Sequence, residues 1–68
     1  MEIKQKPVTN ESAPHRFREG VRQDITVSTP GGSHYLFYRL ENGSTMFVYG
    51  GTKTRPSKKV LAAAEAAL

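Results

Sequence analysis

Four cations near the C-terminus carry the first chemical signal. Lys53, Arg55, Lys58 and Lys59 lie within seven residues that contain no acid. Residues 1–52 hold six basic and five acidic side chains, and after Lys59 only Glu65 is charged. Most of the formal +4 therefore sits in one patch. Such a patch suits phosphate, although a basic helix entrance also serves solubility. The two lysines fall where a helix is expected to begin, and helix N-termini favour anions rather than cations. Dipole and lysines together describe a seat for an external anion such as a backbone phosphate. His34 is the second candidate. It follows Gly32-Ser33 and opens a strand, where an imidazole near cations could act as general acid or base in phosphodiester cleavage. A surface histidine is the plainer account of it, and His15 has no such setting. No paired-carboxylate site, metal-ligand spacing, phosphate loop or Ser-His-Asp set is present. No cofactor is expected.

The elements that must position these residues come next. Sixty-eight residues make one domain with a small core. There is no cysteine to bridge it or to bind metal. No apolar run approaches the roughly 18 residues that span a membrane, and the N-terminus lacks an apolar signal core. A cytoplasmic location and no membrane partner are the expectations. Residues 1–20 hold Pro7 and Pro14 among few apolar side chains, which predicts a flexible basic arm with at most a short extended piece around Ile3. Val21, Ile25 and Val27 share a parity, predicting a strand at about 23–28. Thr29-Pro30-Gly31-Gly32-Ser33 has strong turn chemistry. Further strands are expected over His34–Glu41 and from Ser44 to about Tyr49, joined by Asn42-Gly43, the signature of a two-residue hairpin loop. Ser57 is the expected N-cap of a closing helix in which Val60, Leu61, Ala64 and Leu68 share a face. That helix is too short to persist alone and must pack on the sheet. The expected fold is α+β, with a three-stranded antiparallel sheet against one C-terminal helix over 21–68.

A two-residue loop at 42–43 pairs Arg39 with Met46, Tyr38 with Phe47 and Leu36 with Tyr49. One hairpin face then carries Leu36, Tyr38, Leu40, Thr45, Phe47 and Tyr49, and the other carries Tyr35, Phe37, Arg39, Met46 and Val48. The first has no charge and is assigned to the helix. The second is left free, an apolar patch around Arg39 of the kind that marks an interaction site. A one-residue slip would exchange the two roles. The N-terminal arm folding back, or a dimer, would also cover such a face.

Residues 33–68 resemble the small N-terminal DNA-binding domain of tyrosine recombinases, the phage and transposon integrases. The resemblance rests on Tyr35, Phe37 and Arg39, on Gly51-Thr52-Lys53-Thr54, and on the helix from Ala62 to Leu68. It implies a helix on one sheet face and DNA on the other. Tyr35, Phe37, Arg39 and Met46 would face duplex DNA, with Lys53, Arg55, Lys58 and Lys59 on phosphates. Arg39 would read base edges. In that family the domain precedes a catalytic domain, whereas this sequence stops at the helix. Gly32-Ser33-His34 with the strands and helix that follow is also similar to HicA-type mRNA-cleaving toxins, which would make His34 catalytic. Those toxins begin with a helix, where this chain has proline-broken residues. A third function class remains, a phage-type inhibitor module binding protein through Tyr35, Phe37, Met46 and Val48.

Overall fold

The computed structural model describes residues 1–51 and 56–67. In chain order the elements are β1 (Glu2–Pro7), α1 (Pro14–Arg18), β2 (Val21–Ser28), β3 (His34–Leu40), β4 (Thr45–Gly50) and α2 (Lys58–Ala66). The strands form one antiparallel sheet in the order β1-β2-β3-β4. The α+β class agrees with the sequence. The element count is corrected to four strands and two helices among the described residues.

Both added elements lie in residues 1–20, which are a strand and a helix rather than an arm. Every residue of β1 is exposed, so it has no apolar alternation to betray it. It is held by its backbone, six residues in register with β2 from Glu2↔Ser28 to Pro7↔Gln23. Proline and lysines suit an edge strand, because they discourage further pairing. Thr9 and Ser12 then close a turn by reciprocal bonds. Ser12 Oγ accepts the Thr9 N–H, and Thr9 Oγ1 accepts the Ser12 N–H, both at 3.0 Å. Pro14 sits in the first turn of α1, where its missing N–H costs nothing. The five-residue helix is tied to β2 by side chains. Arg22 Nη1 donates to the Phe17 carbonyl at 2.9 Å, and its guanidinium lies 4.1 Å from the Phe17 ring centroid.

Helix α2 covers one face of the sheet. Ser57 caps it as expected, its hydroxyl accepting the Val60 N–H. Val60, Ala64 and Ala67 pack with Ile25, Val27 and Phe37, all buried, and Tyr35 and Phe47 flank them. Phe37 and Phe47 rings meet at 5.4 Å between centroids. Fully burying a side chain such as Phe37 or Ile25 contributes roughly 1.5–3 kcal/mol, so this small cluster carries much of the domain's stability.

The face assignment of the hairpin is therefore corrected. The turn holds three residues, not two. Gly43 donates its N–H to the Leu40 carbonyl at 3.0 Å, and Leu40 pairs onward with Ser44. Gly43 alone takes positive φ, at 88°, while Asn42 does not, as in a type I turn followed by a left-handed residue. Asn42 spends its side chain on the loop, Oδ1 accepting the Ser44 N–H. The inner pairs become Arg39↔Thr45, Tyr38↔Met46 and Phe37↔Phe47. A bulge at Val48 then restores Leu36↔Tyr49 and Tyr35↔Gly50. Tyr35, Phe37, Arg39 and Phe47 lie under α2. Leu36, Tyr38, Met46 and Tyr49 lie on the opposite face.

Candidate nucleic-acid interface

The face opposite α2 is a grid of cross-strand rows. One row runs Lys4, Thr26, Leu36, Tyr49 from β1 to β4, and the next runs Lys6, Asp24, Tyr38, Met46. Beyond Lys4 the row is Glu2, Ser28, His34. Lysines thus border the β1 side, and apolar and aromatic side chains occupy β3 and β4. Tyr49 is 66% exposed and Met46 44%. An open concavity of about 580 Å³ on the β1 side is lined by Lys4, Lys6, Asp24, Thr26 and Leu36, with Gln5.

Helix α1 reaches over one end of this face through Arg16. Its Nη2 donates to Asp24 Oδ2 at 2.9 Å, and its guanidinium stands 5.8 Å from the Tyr38 ring centroid. Asp24 is therefore neutralised in place, and Arg16 is held over the aromatic ring. Lys4 lies 3.6 Å from Glu2, with both side chains largely in water, where such a pair is worth little. Lys6 enters no ion pair among the described residues.

No match to this chain is found among known protein families, curated proteins or solved structures.

The residues chosen from sequence are not brought together. Phe37 is fully buried in the core and Tyr35 is half-buried beside it, so neither faces an open surface. Arg39 has a structural partner instead of a free surface. Its Nη2 donates to the carbonyls of Ala64 at 2.9 Å, Glu65 at 3.1 Å and Ala67 at 2.6 Å. These carbonyls end α2, where a cation also meets the negative end of the helix dipole, and the Ala64 carbonyl accepts the Ala67 N–H as well, at 3.2 Å. Met46 does lie on the open face. Val48, the bulged residue, is half-buried. Lys58 and Lys59 are exposed in the first turn of α2, the element that covers the other side of the sheet. Lys53 and Arg55 lie outside the described residues. His34 is exposed, and its Nδ1 shares a 2.8 Å hydrogen bond with Ser28 Oγ across the strand pair.

The sequence reading sets Tyr38 and Tyr49 under the helix and Lys4, Lys6 and Arg16 in a flexible basic arm, whereas the structure brings all five to this face. One sequence signal would have found the tyrosines. On β2 the apolar parity is Ile25 and Val27, while Asp24, Thr26 and Ser28 are polar. A five-residue connection over 29–33 pairs odd positions with odd ones, as in Ile25↔Phe37 and Val27↔Tyr35. The buried side of β2 therefore fixes the buried side of β3. For Lys4, Lys6 and Arg16 no comparable signal exists, because their elements depend on backbone pairing and on contacts distant in sequence.

Proposed function

We propose that this protein is a nucleic-acid-binding module whose contact surface is the face of its sheet opposite α2. The observation that supports this is the composition of that face. Tyr49, Leu36 and Met46 offer flat or apolar surface beside the Arg16–Tyr38 pair, and Lys4 and Lys6 stand along it as phosphate partners. The scheme implied by the recombinase resemblance is kept in outline, with the helix on one face and the nucleic acid on the other. Its residues are replaced. Lys58 and Lys59, on the helix layer, add to the long-range field and are not contacts of this surface.

The test is fluorescence anisotropy with labelled oligonucleotides at about 50 and 200 mM salt. Two phosphate contacts give a log–log salt slope of roughly −1.4 to −1.8. Reversal of two charges in Lys4→Glu/Lys6→Glu lowers affinity and flattens that slope. Unchanged affinity in that variant, or no affinity for any oligonucleotide at low salt, rules the proposal out.

A second reading has its own support. The exposure of Met46 and Tyr49 along β4, an edge strand, also suits a protein partner that buries apolar surface. It predicts binding with little salt dependence, which the same titration format separates from the first. The ribonuclease reading rests on His34 with Ser28 as its neighbour. Growth arrest on expression, relieved by His34→Ala, is its expected result, and normal growth with the wild type removes it.

A further inference from the structure

We infer that the nucleic acid this face takes is single-stranded, with one unpaired base stacked on Tyr49 and its neighbour on the Arg16 guanidinium that stands over Tyr38. This rests on the nucleic-acid reading above and deepens it. Three observations carry it.

The first is the kind of group the face presents. Base edges in a duplex are read by arginine, asparagine or glutamine aimed into a groove. On this face the guanidinium of Arg16 is tied to Asp24, and Arg39 is spent on the end of α2. What remains at the centre of the face are tyrosine rings, leucine and methionine. Aromatic rings bind the flat face of a base, and in a duplex that face is hidden within the stack. Only an unpaired base offers it.

The second is width. The major groove is about 12 Å across and admits a helix or a two-stranded ribbon. Four strands at about 4.8 Å spacing are about 14 Å from β1 to β4 before any side chain is added. Tyr38 lies on β3, an inner strand. A flat approach to duplex stops at the phosphates and leaves the Arg16–Tyr38 pair without a base.

The third is the spacing of the rings against the charges. Leu36 pairs directly with Tyr49, and Tyr38 is two residues along β3. The tyrosines are therefore diagonal neighbours, roughly 7–8 Å apart at their backbones. Two successive unstacked nucleotides fit that step. Lys4 and Lys6 share the rows of the two tyrosines on the far side of the sheet. With bases laid on β3 and β4, the β1 lysines are left for the phosphodiester chain. Arg16, over the Tyr38 ring, offers its guanidinium in place of that ring to the second base.

The test compares a 12-nucleotide single strand of mixed sequence with the same sequence as blunt duplex, at low salt, using the full chain. An RNA 12-mer serves as a third probe. Circular dichroism checks that each variant stays folded. Expected are tighter binding to single strands than to duplex by tenfold or more, and a loss of about fivefold to a hundredfold in Tyr49→Ala. Tyr49→Phe, which keeps the ring, retains affinity. Because Tyr49 is largely exposed, its substitution leaves the fold intact. Equal or tighter binding to duplex overturns the single-strand inference and leaves the nucleic-acid reading standing. Single-strand binding that Tyr49→Ala does not weaken also overturns it. Failure of every oligonucleotide to bind removes both, as does a dimer in sedimentation that Tyr49→Ala dissolves, since a second copy then occupies the face.

Discussion

Arg39 gives the sharpest quantitative test of the sheet's two faces. Its Nη2 serves three carbonyls at the end of α2, and its Nε has no partner among the described residues. Nη1 adds only a long bond to the Gly43 carbonyl at 3.4 Å, so most of the stabilisation runs through Nη2. A hydrogen bond to a charged group contributes about 1.5–3 kcal/mol. Three bonds sharing one nitrogen do not add, so one to two such bonds is the fair count. The helix dipole adds up to about 2 kcal/mol in partly buried geometry. Arg39→Ala also leaves the ends of Ala64 and Ala67 to water, which recovers part of the loss. We expect a net cost of about 2–3 kcal/mol. Total stability at this length is roughly 3–10 kcal/mol. At about 4–8 °C per kcal/mol for a domain of this size, Tm falls by roughly 10–20 °C. Arg39→Lys recovers only part, because an ammonium lacks the planar fork. The assay is thermal and urea unfolding followed by far-ultraviolet circular dichroism, with oligonucleotide affinity measured at a temperature where both proteins are folded. Affinity should be unchanged. A variant that melts within about 3 °C of wild type but loses binding would refute the reasoning and return Arg39 to the interface.

Other outcomes follow from the same structure. Phe37→Ala opens a cavity in the only buried aromatic position of the core cluster and should cost about 3–5 kcal/mol, close to the whole stability, visible as lost cooperativity in the melt. Gly50→Ala would set a Cβ onto the His34 carbonyl and 2.6 Å from the Tyr35 Cα, at a φ of 136°. Both neighbours are backbone, so a destabilisation above about 2 kcal/mol is expected by urea titration. In hydrogen exchange, amides of β1 that bond to β2 should be protected relative to Asn10 and Glu11, and uniform fast exchange over residues 1–20 would restore the flexible arm. Deleting residues 1–13 should bare the β2 edge and produce aggregation measurable by light scattering, because an unpaired strand edge is a template for association.

Several elements were legible because the relevant information is local. Ile25 and Val27 alternate with polar residues, the Thr29–Ser33 run has turn chemistry, and Ser57 precedes an alanine-rich helix. Each of these acts within a few residues, through backbone preference or a cap. β1 was not legible, since Glu2–Pro7 buries nothing and is held by a ladder to a partner some twenty residues away. α1 was hidden by its proline, which breaks a helix interior but fits a first turn. At the candidate site, Met46 was the residue correctly placed on the open face, while Tyr35, Phe37 and Arg39 fell on the wrong side. Membrane crossing was expected to be absent, and no described helix is long and apolar enough to cross a bilayer.

The chain's own sequence pointed to strands at about 23–28, 34–41 and 44–49, to a helix after Ser57 and to a hairpin apolar on both sides, and these elements form over 21–28, 34–40, 45–50 and 58–66. The sequence carried the buried side only in the parity of β2, and the β2–β3 register of the tertiary structure passed it on to β3. A third loop residue at the turn shifts Met46 opposite Tyr38 and Phe47 opposite Phe37, and a bulge at Val48 restores Leu36 opposite Tyr49. The packing of Val60 and Ala64 on Ile25, Val27 and Phe37 then selects the odd-numbered face of β3 for the core. Side-chain alternation has period two, so one residue of register separates a core phenylalanine from a surface one. Local preferences are nearly blind to that difference, and the burial of one continuous apolar cluster settles it.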